Sequence, residues 1–299
     1  MRKKMLFKKV VGLAITAAMS VSLLAGCGGG SDTPSGTTDS SGSSSDVLRV
    51  GMECAYAPFN WTQTTDSVPN GDKAVAIFGG GGYAYGYDVI IAKQIADELG
   101  MGLEIHKVEW DSIGLSMDSG EYDCIIAGMG RTAERQLSYS FTEPYYYRNN
   151  CVVVKKGSAL ENITGLSDLA GKNVKATTQL ATGWVPLLNQ IPDVTLGANY
   201  ETTAEVFMAI SNGTADIAVI DVPTAESALL TNSDLKIINL KEGDTFTGDE
   251  EMTNVCIATR KDDTELRDKI QGAMDSLGLT KEKTNEIMEE AITLQPAAN

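Results

Sequence analysis

From Val47 onward, short β-rich runs alternate with amphipathic helical patterns, and this alternation constrains the fold more than any other feature of the chain. Residues 48–51 read as a strand. Asp88 caps a helix that carries Ala92, Ile95, Ala96 and Leu99 on one face and stops at Gly100. Residues 103–108 alternate apolar and polar side chains, as a half-buried strand does, with His106 on the polar, solvent side. Further strands are expected at 122–127, 151–154, 174–177, 217–220, 236–240 and 255–258. Helical patterns cover 183–190, 203–212, 223–231, 264–277 and 281–292. Such an order implies an α/β fold of mostly parallel sheets flanked by helices.

One pattern occurs twice. Gly120 is followed by Asp123 and the apolar run Cys124-Ile125-Ile126-Ala127; Gly213 is followed by Asp216 and the run Ile217-Ala218-Val219-Ile220. Two α/β lobes account for the echo, each offering the C-terminal end of a strand, where open α/β sheets bind ligands. A common helix–glycine–strand turn accounts for it equally. Asp123 and Asp216 themselves read as turn residues.

Composition removes several functions. A net charge of −16 and a sequence pI near 4.5 argue against nucleic acid, which needs a basic face. The single histidine, His106, makes a Ser-His-Asp triad, a His-rich zinc site or a haem ligand improbable. The five cysteines contain no C-x-x-C pair, and neither metal nor cofactor is expected. Cys54, Cys124, Cys151 and Cys256 lie in or beside apolar runs and read as buried thiols, although export permits a disulfide.

The N-terminus reads as an address. Arg2, Lys3, Lys4, Lys8 and Lys9 precede an apolar stretch from Val10 to Ala25 that is too short to span a bilayer. The stretch ends Leu24-Ala25-Gly26-Cys27, which resembles the bacterial lipobox. Residues 1–26 are then a lipoprotein signal peptide, and Cys27 is the lipidated first residue of the mature chain. Residues 27–46 form a flexible tether rich in Gly, Ser, Thr and Asp. Cleavage leaves 19 basic against 40 acidic residues, a net charge of −21, so the lipid and not charge must hold the body at an anionic membrane.

Two constellations carry chemistry. Gly128-Met129-Gly130-Arg131-Thr132-Ala133-Glu134-Arg135 allows close backbone approach, a helix start at Thr132, and a guanidinium fork suited to a carboxylate. Asp221 ends the apolar run 217–220 and calls for a cation. An arginine from one lobe and an aspartate from the other complement a zwitterion between them.

Six segments in register resemble the polar-amino-acid-binding proteins of ABC importers, the type II solute-binding fold of family 3. They are Leu48-Arg49-Val50-Gly51 with Tyr56-Ala57-Pro58-Phe59; Gly86-Tyr87-Asp88-Val89; Gly128 through Arg135; Phe141-Thr142-Glu143-Pro144-Tyr145-Tyr146; Leu169-Ala170-Gly171-Lys172-Asn173-Val174; and Gly213 through Pro223. The resemblance covers essentially all of 47–299. It implies that Arg135 holds a ligand α-carboxylate, with the Gly130 backbone N–H and Gly128 on the same cradle. It implies that Asp221 binds the α-ammonium and that Tyr56 and Trp110 sandwich the ligand side chain. Glu53 matches an acidic position that basic-amino-acid binders use for the distal cation. Thr182 lies in Gln179-Leu180-Ala181-Thr182-Gly183, which departs from the family's Q-x-G-T-T at Ala181 and Gly183. The stretch 62–85 is longer than usual and is either a surface excursion or a hairpin over the cleft mouth.

The implied architecture is lobe 1 at 47–147 plus 253–299 and lobe 2 at 148–252, joined by a two-segment hinge. The implied function is extracytoplasmic capture of a polar L-amino acid by a lipid-anchored monomer, with a cationic ligand favoured over a neutral polar one such as glutamine or cystine. That monomer delivers its ligand to the transmembrane subunits of an importer. The rivals are a dehydratase of the same fold and a sensory lipoprotein without a transporter.

Overall fold

The computed structural model describes residues 46–248 and 254–296. The signal peptide, Cys27 and the tether up to residue 45 lie outside the described residues. Among the described residues, no helix is long and apolar enough to cross a membrane.

Two five-stranded sheets form the centres of two lobes. The first runs Gly102–Lys107, Val47–Met52, Cys124–Ile125, Ala258–Arg260, Tyr139–Phe141. The second runs Thr195–Leu196, Lys175–Thr177, Ile217–Asp221, Asn150–Lys155, Leu235–Ile238. Between them, Tyr146–Tyr147 pairs antiparallel with Asn254–Val255, so both crossing segments are tied into one ribbon. Val50, Ile125, Ala258, Val152, Val219 and Ile220 are buried at the sheet centres.

The repeated glycine–aspartate pattern is one structural device used twice. The Asp123 N–H donates to the Arg49 carbonyl (2.9 Å), and its carboxylate accepts the Arg49 N–H (3.2 Å). The Asp216 N–H donates to the Lys175 carbonyl (2.8 Å), and its carboxylate accepts the Lys175 N–H (2.8 Å). Each aspartate thus locks an incoming strand to the first parallel strand of its sheet. The Asp123 carboxylate also grips the Arg49 side chain, with Nη2 at 2.6 Å from Oδ1.

Several local expectations change. Each large sheet has two parallel and two antiparallel ladders, so the sheets are mixed rather than mostly parallel. Asn150–Lys155 and Ala258–Arg260 follow directly on the crossing ribbon, without the helical crossover that a parallel neighbour requires. The helix Tyr87–Leu99 starts one residue before Asp88, which is buried in its first turn; Gly100 stops it in the left-handed region at φ 67°. Residues 183–190 do not form an α-helix: Val185–Gln190 is a 3-10 helix with proline in its first turn. The strand at 122–127 shortens to Cys124–Ile125.

The long stretch 62–85 lies on the first lobe. Ala55–Tyr56, Asn60–Gln63, Tyr83–Tyr85 and Val75–Ala76 make a small antiparallel sheet. Beyond it, Ile77 bridges to Ile105 and the Phe78 N–H donates to the Ile105 carbonyl (2.8 Å), covering the edge strand Gly102–Lys107. His106 is therefore not a plain surface residue. Its ring stacks 4.6 Å from Phe78, and Nε2 lies 2.7 Å from Glu104 Oε1. Cys54, Cys124, Cys151 and Cys256 are all buried.

Candidate functional site

The strand Val47–Met52 delivers the first site residue at its C-terminal end. Glu53 is only 3% exposed, and its carboxylate accepts from the Gln179 Nε2 amide of the other lobe at 3.3 and 3.4 Å. Burial pushes its carboxyl up to about 7, against the opposing Gln179 bond and Lys107. Arg49 is held by Asp123 and is not a partner of Glu53. Next to it, Cys54 turns through φ 53°, its N–H donates to Asn60 Oδ1 (2.7 Å), and burial pushes its thiol up to about 12.

Tyr56 is the hub. Its ring stacks on Phe59 (centroids 4.8 Å, planes 8° apart) and meets the edge of Trp184 at 6.4 Å. Its hydroxyl donates to Asp221 Oδ2 across the lobes at 2.6 Å. Gly128 lies against this ring at φ 61°. A Cβ there would be 2.6 Å from Tyr56 Cε1, so both its conformation and the space demand glycine. Its N–H donates to the Tyr145 hydroxyl (3.1 Å), which in turn donates to Asp88 Oδ1 (2.7 Å). Asn60 Nδ2 also donates to Asp88, at 2.8 Å. Burial pushes the Asp88 carboxyl up to about 6 despite both bonds.

Thr132 caps the helix Ala133–Ser138, accepting the Arg135 N–H at 3.2 Å. This places the Arg135 guanidinium over the Trp110 ring at 5.3 Å. Nη1 donates to the Gly130 carbonyl (3.0 Å), and Nη2 donates to the Ala181 carbonyl of the other lobe (3.0 Å). Trp110 Nε1 donates to the same Ala181 oxygen at 3.2 Å. Burial and the neighbouring Arg148 push Arg135 down to about 10. Ala181 sits at φ 56°, a conformation that favours glycine, and this is the position where the family motif carries one. Thr182 Oγ1 donates to the Gln179 carbonyl (2.7 Å) and so closes the loop locally.

One of the cavities between the lobes gathers most of the expected site residues. Glu53, Tyr56, Trp110, Gly128, Arg135 and Thr182 all reach its wall. Gly130 and Asp221 do not. Gly130 faces Arg135 with its carbonyl and bridges to Val255. Asp221 is fully buried and caps the helix Val222–Leu229, accepting the Thr224 N–H and hydroxyl, each at 2.9 Å. Trp110 lies against Arg135 rather than Tyr56, and the aromatic neighbours of Tyr56 are Phe59 and Trp184. The cavity measures about 10 Å³, space for one water at most, so a larger ligand enters only when the lobes part.

Three further wall residues carry no ligand-binding assignment from the sequence, although Tyr145 through Arg148 reads there as hinge and cleft wall and Gln179 lies in the loop of Thr182. Gln179 reaches across to Glu53; Trp184 is 3% exposed, with its Nε1 donating to Asn150 Oδ1 (3.0 Å); Arg148 is 7% exposed. Arg148 carried one signal, a lone charge beside the run Tyr145-Tyr146-Tyr147 at the lobe crossing.

Residues 48–290 match the family described as bacterial extracellular solute-binding proteins, family 3. The chain is 27% identical over 277 residues to the arginine-binding extracellular protein ArtP of Bacillus subtilis, covering 90% of this chain and 92% of that protein. It is 25% identical to the ABC transporter arginine-binding protein 1 of Escherichia coli, covering 79% and 86%. Among solved structures, an ancestral arginine-binding protein bound to arginine superposes with a TM-score of 0.63 at 29% identity, covering 82% of this chain and 97% of that one.

Proposed function

The chain belongs to the bacterial extracellular solute-binding proteins of family 3, and from that membership we propose that it captures a cationic L-amino acid between its lobes and delivers it to an ABC importer. The two relatives named above, both arginine-binding, support the amino-acid class. The observation that carries the cationic choice is Glu53. It is a buried carboxylate on the cavity wall, and the partner reaching it from the other lobe is the neutral Gln179 amide. A guanidinium or ammonium at the far end of a ligand side chain supplies the missing charge. Arg135, on the same wall and beside a second guanidinium, serves the ligand carboxylate. Trp110, Tyr56 and Trp184 supply apolar walls for the stem between the two charges.

Arg135 and Glu53 belong to the first lobe; Ala181 and Gln179 answer them from the second. Ligand entry breaks these direct contacts, and closure over the ligand restores contact between the lobes through it. That difference in shape is what an importer reads. In this proposal the mature chain begins at Cys27, is held to the membrane by its lipid, and acts as a monomer that releases its ligand unaltered.

A thermal-shift panel of the twenty amino acids tests the reading, with mass spectrometry of any ligand retained through purification. Stabilisation by arginine, lysine or histidine, and recovery of the ligand intact, is the expected result. Stabilisation by aspartate or glutamate alone overturns the cationic choice.

A further inference from the structure

Arg148 stands where the chain crosses from one lobe to the other, directly after the strand Tyr146–Tyr147. Its Nη1 donates to the Tyr56 hydroxyl and to the Gly128 carbonyl, both at 3.0 Å. Its guanidinium lies 5.1 Å from the centre of the Trp184 ring. Its Nε is buried and has no acceptor among the described residues. Tyr56 relays the contact, since its hydroxyl donates to Asp221 Oδ2 at 2.6 Å. Both Asp221 oxygens also accept from Thr224. Burial disfavours the Arg148 cation, but Tyr56 and Asp221 more than offset this and raise its proton affinity. Guanidinium, phenol and carboxylate therefore form one buried, charge-balanced unit.

That unit stands where the resemblance puts the ligand's α-ammonium. We propose that Arg148 is a specificity-determining residue whose guanidinium occupies the ammonium subsite, so that the ligand is recognised by its carboxylate and the far end of its side chain while its α-ammonium contributes little. This rests on the amino-acid reading of the cavity. An ammonium brought to Asp221 meets a carboxylate already balanced by a cation and already accepting three bonds from hydroxyl and N–H donors. It also meets a guanidinium of its own sign. The Gly128 carbonyl, the nearby neutral acceptor, is already taken by the same guanidinium. Expelling Arg148 breaks two charge-assisted hydrogen bonds and its contact with Trp184. A ligand that leaves this corner undisturbed avoids those losses.

The test compares L-arginine with 5-guanidinopentanoate, which keeps the carboxylate and guanidinium and lacks the amine. Both are titrated by calorimetry into the wild type, Arg148→Ser and Arg148→Lys. The wild type should bind the two within about tenfold of each other, and Arg148→Ser should raise the preference for L-arginine by about tenfold or more. Arg148→Lys, which keeps the cation, should stay near the wild-type ratio. A wild-type preference for L-arginine above about tenfold overturns the inference, and that measurement needs no variant to fold. An Arg148→Ser ratio unchanged from wild type overturns it as well. Either result leaves the amino-acid reading standing. Failure of both compounds to bind any form removes the cationic-ligand reading and this inference together.

Discussion

Replacing Glu53 by Gln removes one titrating carboxyl from the cavity wall, keeps its size, and leaves one oxygen to accept from Gln179. Burial raises this carboxyl from its ordinary 4.5 to about 7; the Gln179 bond and Lys107 oppose the rise, and Glu109 adds to it. Arg135 and Arg148 share the same wall. The folded protein thus binds more protons than the unfolded chain across the pH window from about 4.5 to about 7, and stability falls as pH rises through it. At ~1.4 kcal/mol per tenfold change in proton affinity, the loss reaches about 3 kcal/mol above pH 7. Glu53→Gln should therefore match the wild type at about pH 4 and exceed it by about 3 kcal/mol at pH 8, or roughly 6–12 °C in Tm for a body of this size. Asp88, raised to about 6 by burial, titrates in the same window in both proteins and cancels in the difference. Thermal unfolding followed from about pH 4 to 8.5 is the assay. Parallel curves for the two proteins would show that Glu53 does not titrate in this window. Binding offers an independent reading. A cationic side chain placed against Glu53 favours its ionised form, so arginine binding near pH 7 should release a proton from the wild type and none from Glu53→Gln. Calorimetry in buffers of different ionisation enthalpy measures this.

Arg135→Ala removes the guanidinium bonds to Gly130 and Ala181 along with the proposed carboxylate clamp. Amino-acid affinity should fall by about 30- to 5,000-fold, from ~2–5 kcal/mol, and weakening of less than about threefold in calorimetry would contradict the assignment. Asp221→Asn leaves the buried Arg148 without its balancing charge, and should cost about 1–3 kcal/mol in denaturant unfolding. Combined with Arg148→Ser it should cost less than the sum of the two; strict additivity would show that they do not form one unit. Gly128→Ala forces a Cβ to 2.6 Å from Tyr56 at φ 61°. It should lower stability by about 1–3 kcal/mol and weaken ligand binding through a displaced Tyr56, and unchanged Tm and affinity would show that the ring yields freely.

Features dictated by local chemistry are legible in the order of residues. Alternating apolar periods imply two α/β lobes, Gly100 stops its helix, and Gly120 with Asp123, like Gly213 with Asp216, marks a strand entry. Gly128 and Arg135 are legible in the Gly-rich turn and helix start, Glu53 and Tyr56 through the family resemblance, and the cavity wall includes all four. Tertiary structure alone decided which charge faces which. The partners of Asp221 and Arg148 meet through Tyr56, which lies 165 and 92 residues away from them in the chain. Trp184 was read as part of a helix until packing set it between Tyr56 and Arg148. Glu53 reads from sequence as an acid, yet burial raises its carboxyl to about 7 against the opposing bond from Gln179 of the other lobe. Burial and pairing depend on chain segments brought together only by folding, and no local period encodes them.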